Sequence, residues 1–351
     1  MSGLAELPIV AAAIPRAWSS HLDEAAVSVH WSSSGPWLAA AAASGTVVIF
    51  NTVDGERLHE LGAHRFGVTQ VVWHPREPIL ATAGQDGWVR LWDPLTGTQR
   101  GELACGTSWV EHIAWSDTGR LLATAAGRKL RIWSTDGQLI RDYPDHSNTI
   151  AGIAWRRCGE ELASACYGGL QFWSPDSAKP VRTSQWQGSM ISLAWSPDGR
   201  YLCHGNQDAT ICLWVVSENQ PLQMQGYPTK VRELSWDHRS RYLATSAGSS
   251  VAVWDCYGKG PAGSTPMLLR FHSTPVTRIA FQHHGRLLVS GCGSGQLALW
   301  KPGKRRDPPE ALGMLPATIS SLAWSADDEL FAAGALDGSV AVYRLAVVEE
   351  R

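Results

Sequence analysis

Three stretches of this sequence place residues at spacings that approach known sites of chemistry. His59, Glu60 and His64 approach a two-histidine zinc helix, but one residue too many separates Glu60 from His64, and we expect a strand and loop there. Residues 258–265 partly match a phosphate-binding loop, yet no Lys follows the last glycine and no helix is expected after it. Residues 291–295 are glycine-rich like a dinucleotide loop, but they connect two predicted antiparallel strands. None of the three predicts catalysis or a cofactor.

The histidines and cysteines likewise predict no metal site. The 12 histidines are scattered along the chain. His283 and His284 are adjacent in a predicted turn, and neighbouring side chains in extended backbone point apart. Seven cysteines, none in a CxxC pair, indicate reduced thiols in a cytoplasmic protein.

Composition excludes several classes of protein. Apolar residues make up 44% and charged residues 18%, which is typical of a folded chain and not of a disordered one. A net charge of −2 excludes a chain-wide positive field that would attract nucleic acid. No apolar run approaches the roughly 18 residues of a membrane span. Residues 8–14 are apolar but follow no Lys or Arg, so a signal peptide is not predicted.

The 18 tryptophans indicate one packing position used many times. A first aromatic series has spacings of 40 to 45 residues: Trp31, Trp73, Trp115, Trp155, Trp195, Trp236, Phe281 and Trp324. A second series follows the first at a distance of 18 or 19 residues: Phe50, Trp92, Trp133, Trp173, Trp214, Trp254, Trp300 and Tyr343. Eight matched pairs predict eight structural repeats.

The residues around each pair predict strands and turns. Val68–Trp73 alternates as a half-buried strand does, and Ser196–Arg200 has the Pro and Gly of a turn. Small residues follow, as in Leu80–Ala83, and then a third strand such as Val89–Trp92. A weaker fourth strand, for example Gln138–Tyr143, completes most repeats. The fold class is therefore all-β.

The ends of the third strands suggest a family. Leu91-Trp92-Asp93 and Val253-Trp254-Asp255 match the dipeptide for which WD40 repeats are named, and the sequence resembles that family over nearly its whole length. The resemblance implies a β-propeller, in which four-stranded antiparallel blades are arranged radially around a channel.

Eight repeats predict eight blades in a single domain over residues 1–351. Seven blades, the commoner number in the family, would leave one aromatic pair without a blade. The repeats begin near residues 27, 68, 110, 150, 191, 231, 276 and 319. The last repeat, 319–343, has only three strands, so we predict that residues 8–18 supply its fourth strand and close the ring. Pro15 suits such an edge strand.

The resemblance also implies a buried hydrogen-bonded tetrad of His, Ser or Thr, Asp and Trp. Only the second repeat has all four residues, namely His64, Thr82, Asp86 and Trp92. We interpret this tetrad as structural, because a catalytic His–Asp pair would need a nucleophile beside it. Where Trp186, Tyr227 or Tyr167 replaces a polar member, we expect apolar packing to hold the blade instead.

In this family, partners bind mostly at the face formed by the loops before the first strand and between the second and third strands. Phe66 and Trp109 stand out on this predicted face, because most repeats have small or polar residues there. Large aromatics beside cations are typical of interaction hot spots, although such side chains can also fold back onto the blades. The predicted partner-binding residues are Arg65, Phe66, Trp88, Trp109, Asn148, Tyr167, Gln207, Tyr227 and Lys230.

The opposite face carries two long connections, 257–266 and 301–310. Their cations and those of neighbouring turns predict an alternative basic patch: Arg239, Arg241, Lys259, His283, His284, Arg286, Lys304, Arg305 and Arg306. Such a patch could bind nucleic acid or an acidic or phosphorylated partner. A solvated loop is the other interpretation of the second connection.

These observations predict a non-catalytic scaffold that presents a rigid surface to a protein or peptide partner, without cofactor, metal or membrane. The first alternative is a binder of nucleic acid or an acidic partner through the basic patch. An enzyme that uses the central channel is the remaining alternative, but no nucleophile, base and oxyanion donor set is visible in the sequence.

Overall fold

The computed structural model describes residues 11–157, 160–258, 260–303 and 308–345. These residues form strands joined by turns, arranged as eight sheets of four antiparallel strands, one of which is extended by a short parallel strand. They include no helix with the length and apolar character needed to cross a membrane. The all-β class and the eight blades are as predicted.

Each blade, numbered 1 to 8 along the chain, has strands a to d. Strand a, from blade 1 to blade 8, is Ala26–Trp31, Val68–Trp73, Val110–Trp115, Ile150–Trp155, Met190–Trp195, Leu234–Trp236, Val276–Phe281 and Ile319–Trp324. Strand b is Trp37–Ala42, Leu80–Gly84, Leu121–Ala126, Leu162–Cys166, Tyr201–Asn206, Tyr242–Ala247, Leu288–Cys292 and Leu330–Ala335. Strand c is Thr46–Asn51, Trp88–Trp92, Lys129–Ser134, Gly168–Trp173, Ile211–Val215, Ser250–Asp255, Gln296–Trp300 and Ser339–Arg344. Strand d is Arg57–Gly62, Gln99–Ala104, Leu139–Asp142, Arg182–Trp186, Gln220–Met224, Met267–Arg270, Ala311–Met314 and, for blade 8, Arg16–His21.

Strands a form the inner ring, and strands b lie next to them. Adjacent blades touch chiefly through their strands a, and strand a of one blade also touches strand b of its neighbour. Strands b are consequently covered on both faces; in blade 1 every residue of Trp37–Ala42 is buried. Small side chains in strands b let neighbouring blades approach closely, and the aromatic residues fill the wider space farther out.

The N-terminal strand closes the ring as predicted, with a shifted range. Arg16–His21 pairs antiparallel with Ser339–Arg344, so the closing strand starts later than the predicted 8–18 and extends beyond it; residues 8–10 lie outside the described residues. Just before it, Ala12–Ala13 pairs in parallel with strand d of blade 7. Pro15, which has no N–H, lies between the two pairings, where the chain changes partner.

Most tryptophans of the first series join one blade to the preceding one. Their indole N–H groups donate to a strand-a carbonyl of that blade at 2.9 to 3.0 Å: Trp31 to Ala323, Trp73 to His30, Trp155 to Ala114, Trp195 to Ala154 and Trp324 to Ala280. This repeated bond explains why the first series favours Trp over Phe. It makes the blades a fixed platform for the loops at both ends.

Candidate functional site

The tetrad of blade 2 fixes two of the loops on the predicted partner face. His64 Nδ1 lies 2.9 Å from Asp86 Oδ1 and its Nε2 lies 2.9 Å from Thr82 Oγ1, which also accepts the Trp92 indole N–H at 3.0 Å. Burial lowers the pKa of His64, although Asp86 opposes the shift, so the imidazole is neutral at pH 7. The tetrad thereby ties the loop before strand a to the b–c turn.

Arg90 adds a second bond to the same carboxylate. Its guanidinium donates to Asp86 Oδ2 at 2.9 Å and to Glu102 at 3.1 Å. Burial alone raises the pKa of Asp86, but hydrogen bonds from Arg90 and His64 outweigh it and hold the pKa below its ordinary value. Asp86 is therefore an ionised, fully bonded structural group.

Blade 6 keeps the network with a different residue. The Tyr227 hydroxyl accepts the Trp254 indole N–H at 2.7 Å and lies 2.8 Å from Thr245 Oγ1, in the place of the missing His. The expectation of purely apolar packing in this blade is therefore wrong. Tyr227 is half-buried, and its hydroxyl is bonded inside the blade.

In blade 5 the histidine of the network comes from strand b, and a tryptophan takes its place before strand a. Trp186 occupies the loop position of the histidine, and His204 lies on strand b, with the two rings edge to face at 5.1 Å. Trp214 donates to His204 Nε2 at 3.3 Å, and Asn206 bonds Nδ1 of the same ring at 2.8 Å. Burial lowers the pKa of His204 to about 4. Aromatic packing and hydrogen bonding therefore act together in this blade.

Several aromatic side chains predicted for the partner face are exposed. The exposed fractions are 62% for Phe66, 54% for Trp109, 57% for Tyr167 and 36% for Trp88. The Arg65 guanidinium lies over the Phe66 ring, 5.3 Å from its centroid. The remaining predicted residues of this face are also exposed: Asn148 in the loop before blade 4, Gln207 in blade 5 and Lys230 before blade 6.

Three of these aromatics belong to loops that are bonded to one another. The Gly87 carbonyl accepts the Cys105 N–H at 3.0 Å, and a Cβ on Gly87 would lie only 2.2 Å from the Gly106 carbonyl oxygen. The b–c turn before Trp88 thus packs directly against the loop that carries Trp109.

On its other side, the same turn reaches the loop that carries Phe66, since Gln85 N–H donates to Gly67 O at 2.9 Å. We call Arg65, Phe66, Trp88 and Trp109 the aromatic loop surface. It spans the junctions of blades 1, 2 and 3. Tyr167, Asn148, Gln207 and Lys230 lie outside it, on loops of blades 4 to 6.

The described part of the basic patch contains one charge-compensated cation, Arg241. Lys259, Lys304, Arg305 and Arg306 lie outside the described residues. Arg241 forms an ion pair with Asp255 at 2.9 Å, which raises the pKa of Arg241. The backbone N–H groups of His283 and His284 both donate to the Asp328 carboxylate at 2.7 Å. Arg239 and Arg286 are exposed on neighbouring turns of blades 6 and 7.

A cavity at the channel mouth was not predicted. It has a volume of about 590 Å³ and lies where strands a end, with His30, Trp115, Asp117, Arg157 and His283 in its wall. The sequence did offer a signal, because these residues all stand at the last strand-a positions or just after them. No group of three or more His, Cys, Asp or Glu side chains suited to a metal occurs in the part of the chain that the structure describes.

Known proteins resemble this chain over part of their length. The chain is 26% identical to anaphase-promoting complex subunit cdc20 of Dictyostelium discoideum over 41% of this chain and 28% of that protein. It is 26% identical to the APC/C activator protein CDH1 of Saccharomyces cerevisiae over 36% and 23%, and 30% identical to protein HIRA of Dictyostelium discoideum over 19% and 7%. The matched segments thus span about a quarter or less of each relative.

The fold has a close counterpart among solved structures. The computationally designed Ika8 protein superimposes with a TM-score of 0.81 at 20% identity, over 94% of this chain and all of the designed one. The model of the WD domain, G-beta repeat, matches residues 15–51, 55–93, 97–134, 178–215, 263–301 and 311–344. Because these six segments cover more than half of the sequence, the chain belongs to the WD40 repeat family.

Proposed function

We propose that this protein is a non-catalytic interaction scaffold that binds a protein or peptide partner through the aromatic loop surface. The observation that carries the proposal is the exposure of Phe66 and Trp109 on loops that hydrogen bonds and close backbone contacts hold in place. Exposed aromatics normally lose side-chain entropy when a partner covers them. Here the supporting loops are already ordered, so the entropic cost of ordering the loop backbone on binding is reduced.

The chemistry of this surface suits a partner with apolar and acidic groups. Phe66 and Trp109 offer apolar area, and Trp88, which follows the turn bonded to both of their loops, adds a partly exposed ring. Arg65 covers one side of Phe66 and presents a cation at the rim. Aromatics with a neighbouring Arg are the side chains that most often dominate binding energy at protein interfaces.

The relatives support the class of function and not the partner. Two of them are named as a subunit and an activator of the anaphase-promoting complex, which are roles within a protein assembly. We extend only the general property of protein binding to this chain. We further propose that it acts in the cytoplasm, since the described cysteines are all free thiols.

The test is affinity capture from the source cells with the intact chain as bait, followed by mass spectrometry. We expect the double variant Phe66→Ala/Trp109→Ala to lose a specific partner that the wild type retains, with at least a tenfold drop in recovered partner. A matched control is Val53→Ala/Leu95→Ala, which removes two exposed apolar side chains from the opposite face. Circular dichroism and thermal unfolding establish that both variants are folded.

Loss of the partner in both double variants, or in neither, contradicts the assignment to the aromatic loop surface. Loss only in the control moves the site to the opposite face. The non-catalytic part of the proposal is contradicted if the wild type has an enzymatic activity that is lost when the ionisable residues of the channel are replaced.

A further inference from the structure

A pocket between blades 7 and 8 opens on the face opposite the aromatic loop surface. It has a volume of about 570 Å³ and lies where the N-terminal segment crosses from strand d of blade 7 to strand c of blade 8. Most of its wall is apolar and includes Ile14, Pro15, Leu287, Leu299, Ala311 and Leu345. We call it the blade 7–8 pocket. Cavities of about 300–1,000 Å³ with mainly apolar walls are typical of small-molecule sites.

The pocket is the uncovered end of an apolar cluster. Ile14 and Leu299 are each 6% exposed and belong to the cluster that fills the space between blades 7 and 8. Leu287, Ala311 and Leu345 pack against the same cluster but are only partly buried. An apolar ligand that covers these three side chains removes their remaining exposed area from water, which favours binding.

The wall that the N-terminal segment contributes is bonded to both blades. The Ile14 N–H donates to Leu312 O of blade 7 at 2.8 Å, and Pro15 O accepts the Arg344 N–H of blade 8 at 2.9 Å. Both hydrogen bonds join backbone groups, so this wall is in place before a ligand enters. A pocket that is already formed lowers the free-energy cost of binding.

Three charged residues complete the wall of the pocket. They are Arg286, Lys301 and Glu310, and all three are exposed. Within the part of the chain that the structure describes, none of them forms an ion pair. Two cations and one carboxylate leave one net positive charge, so the pocket attracts an anion more strongly than a cation.

A counterpart of the pocket lies between blades 2 and 3 and has a volume of about 460 Å³. Strand pairing aligns the two sites, since Leu80 pairs with Trp92 as Leu288 pairs with Trp300. The counterpart has Ile79, Leu91 and Thr135 where the blade 7–8 pocket has Leu287, Leu299 and Leu345. The floor of the two pockets is therefore the same, and the residues around it differ.

The counterpart carries the opposite charge. Its wall includes the carboxylates of Glu77 and Asp136 together with the Arg100 guanidinium. That guanidinium is itself neutralised by Asp93, whose carboxylate lies 2.7 Å away. An apolar floor combined with a surplus of positive charge therefore distinguishes the blade 7–8 pocket from its counterpart.

We propose that the blade 7–8 pocket binds a small aliphatic carboxylate, such as an unbranched fatty acid. The hydrocarbon chain covers Leu287, Leu299 and Leu345, and the carboxylate lies at the rim, where the surplus positive charge of Lys301 and Arg286 attracts it. The proposal does not depend on the proposed function, because the pocket and the aromatic loop surface lie on opposite faces.

The test titrates sodium octanoate into the intact chain with isotope-labelled Leu and Ile methyl groups. We expect saturable shifts in the methyl resonances of Leu287, Leu299 and Leu345. The methyl groups of Ile79 and Leu91 report on the counterpart in the same spectrum and should not shift. Affinity should rise about fourfold for each methylene group from butanoate to octanoate, as burial of a hydrocarbon chain requires. Equal shifts in the counterpart, or an affinity that does not depend on chain length, overturn the proposal.

The charge of the ligand is tested separately. Octylammonium chloride has the same chain with the opposite charge and should bind about tenfold more weakly than octanoate, because attraction is replaced by repulsion. Lys301→Gln should weaken octanoate binding about fivefold, and Glu310→Gln should strengthen it by a similar factor. Lys179→Gln removes an exposed cation from the corresponding connection of blade 4 and should leave binding unchanged. Equal affinities for the two ligands, or a Lys301→Gln variant that binds like the wild type, contradict the assignment of an anion.

The apolar contact is tested by exchanging one residue between the two pockets. Leu345→Thr introduces the residue that the counterpart has as Thr135 and should weaken octanoate binding about fivefold. Leu336→Thr makes the same change at an exposed position of the partner face and should have no effect. If octanoate does not bind while a peptide with an apolar C-terminal residue shifts the same methyl resonances, the pocket accepts a protein terminus and the proposal of a small carboxylate is wrong.

Discussion

Blades 8, 1 and 2 are joined around the channel differently from blades 3, 4 and 5. At the junction of blades 8 and 1, Ser321 Oγ accepts the Val29 N–H at 2.9 Å, in addition to the Trp31 indole bond, and Ser320 Oγ donates to Ala26 O. At each of the junctions of blades 3–4 and 4–5, the described residues show one side-chain hydrogen bond between the strands a. It is the indole bond of Trp155 or of Trp195.

The residue types explain the difference. Blade 4 places Ala151 and Gly152 at the two strand-a positions where blades 8 and 2 have Ser, Thr or Gln, and blade 5 places Ile191 at the first of them. A Cβ on Gly152 would lie 3.2 Å from the Leu193 Cβ, so these blades meet by close apolar contact. The comparison teaches that one inner ring uses two kinds of junction. The polar kind depends on particular side chains and on their protonation.

The largest expected effect comes from removing Trp18 of the closing strand, where blade 8 meets blade 1. Trp18 packs on Phe50 with ring centroids 5.5 Å apart and donates to Thr52 O at 3.0 Å, which joins blade 8 to blade 1. Trp18→Ala should lower the free energy of unfolding by about 3–5 kcal/mol, through the lost contacts and the cavity left behind. Urea unfolding followed by circular dichroism measures this loss.

The matched control is Trp88→Ala, which removes a tryptophan that is 36% exposed and should cost less than about 1 kcal/mol. Equal losses in the two variants would show that the closing strand adds no special stability to the ring.

Acid should weaken one hydrogen bond between the strands a of blades 1 and 2. Burial, together with the charge of His283, lowers the pKa of His30 from 6.5 to about 4, and His30 Nδ1 accepts the Trp73 N–H at 3.3 Å. Because the unfolded chain binds this proton more readily, the stabilisation is complete above pH 6.5. It is lost as the pH falls from 6.5 towards 4.

Hydrogen exchange of the Trp73 amide between pH 7 and pH 4.5, corrected for intrinsic rates, measures this effect. Exchange should accelerate at the Trp73 amide, which donates to His30 Nδ1. His30→Asn offers a non-titrating acceptor and should reduce the pH dependence. An unchanged dependence in this variant would exclude His30 as the sensitive group.

The smallest expected effect comes from removing one indole hydrogen bond at the junction of blades 3 and 4. Trp155→Phe removes the indole bond to Ala114 and keeps most of the ring packing, at a cost of about 1 kcal/mol. Amide exchange in Ile150–Trp155 should become about fivefold faster. Trp31→Phe should change exchange in blade 1 less, since the bonds of Ser320 and Ser321 remain. Equal effects would mean that the additional bonds do not reinforce the junction.

The repeats and their number could be predicted because a Trp or another aromatic recurs at each packing position. The residues of the blade 2 tetrad could be named because the resemblance to WD40 repeats implies their positions relative to the aromatic residues. The role of Tyr227 could not, because a residue type does not show where its hydroxyl lies once the loop has folded. That position depends on distances across a blade, which spacing along the chain does not contain.

The pairing of Arg16–His21 with Ser339–Arg344 also has a consequence for how the chain folds during synthesis. Blades 1 to 7 each draw their four strands from one continuous segment, so each can form soon after its residues leave the ribosome. Blade 8 cannot form until residue 344 has been made, and closing so long a loop carries an entropic cost that the shorter hairpins avoid. Until that moment the nascent chain holds an open arc with two unpaired ends, which makes the interval before blade 8 forms the one at which misassembly with a second chain is easiest.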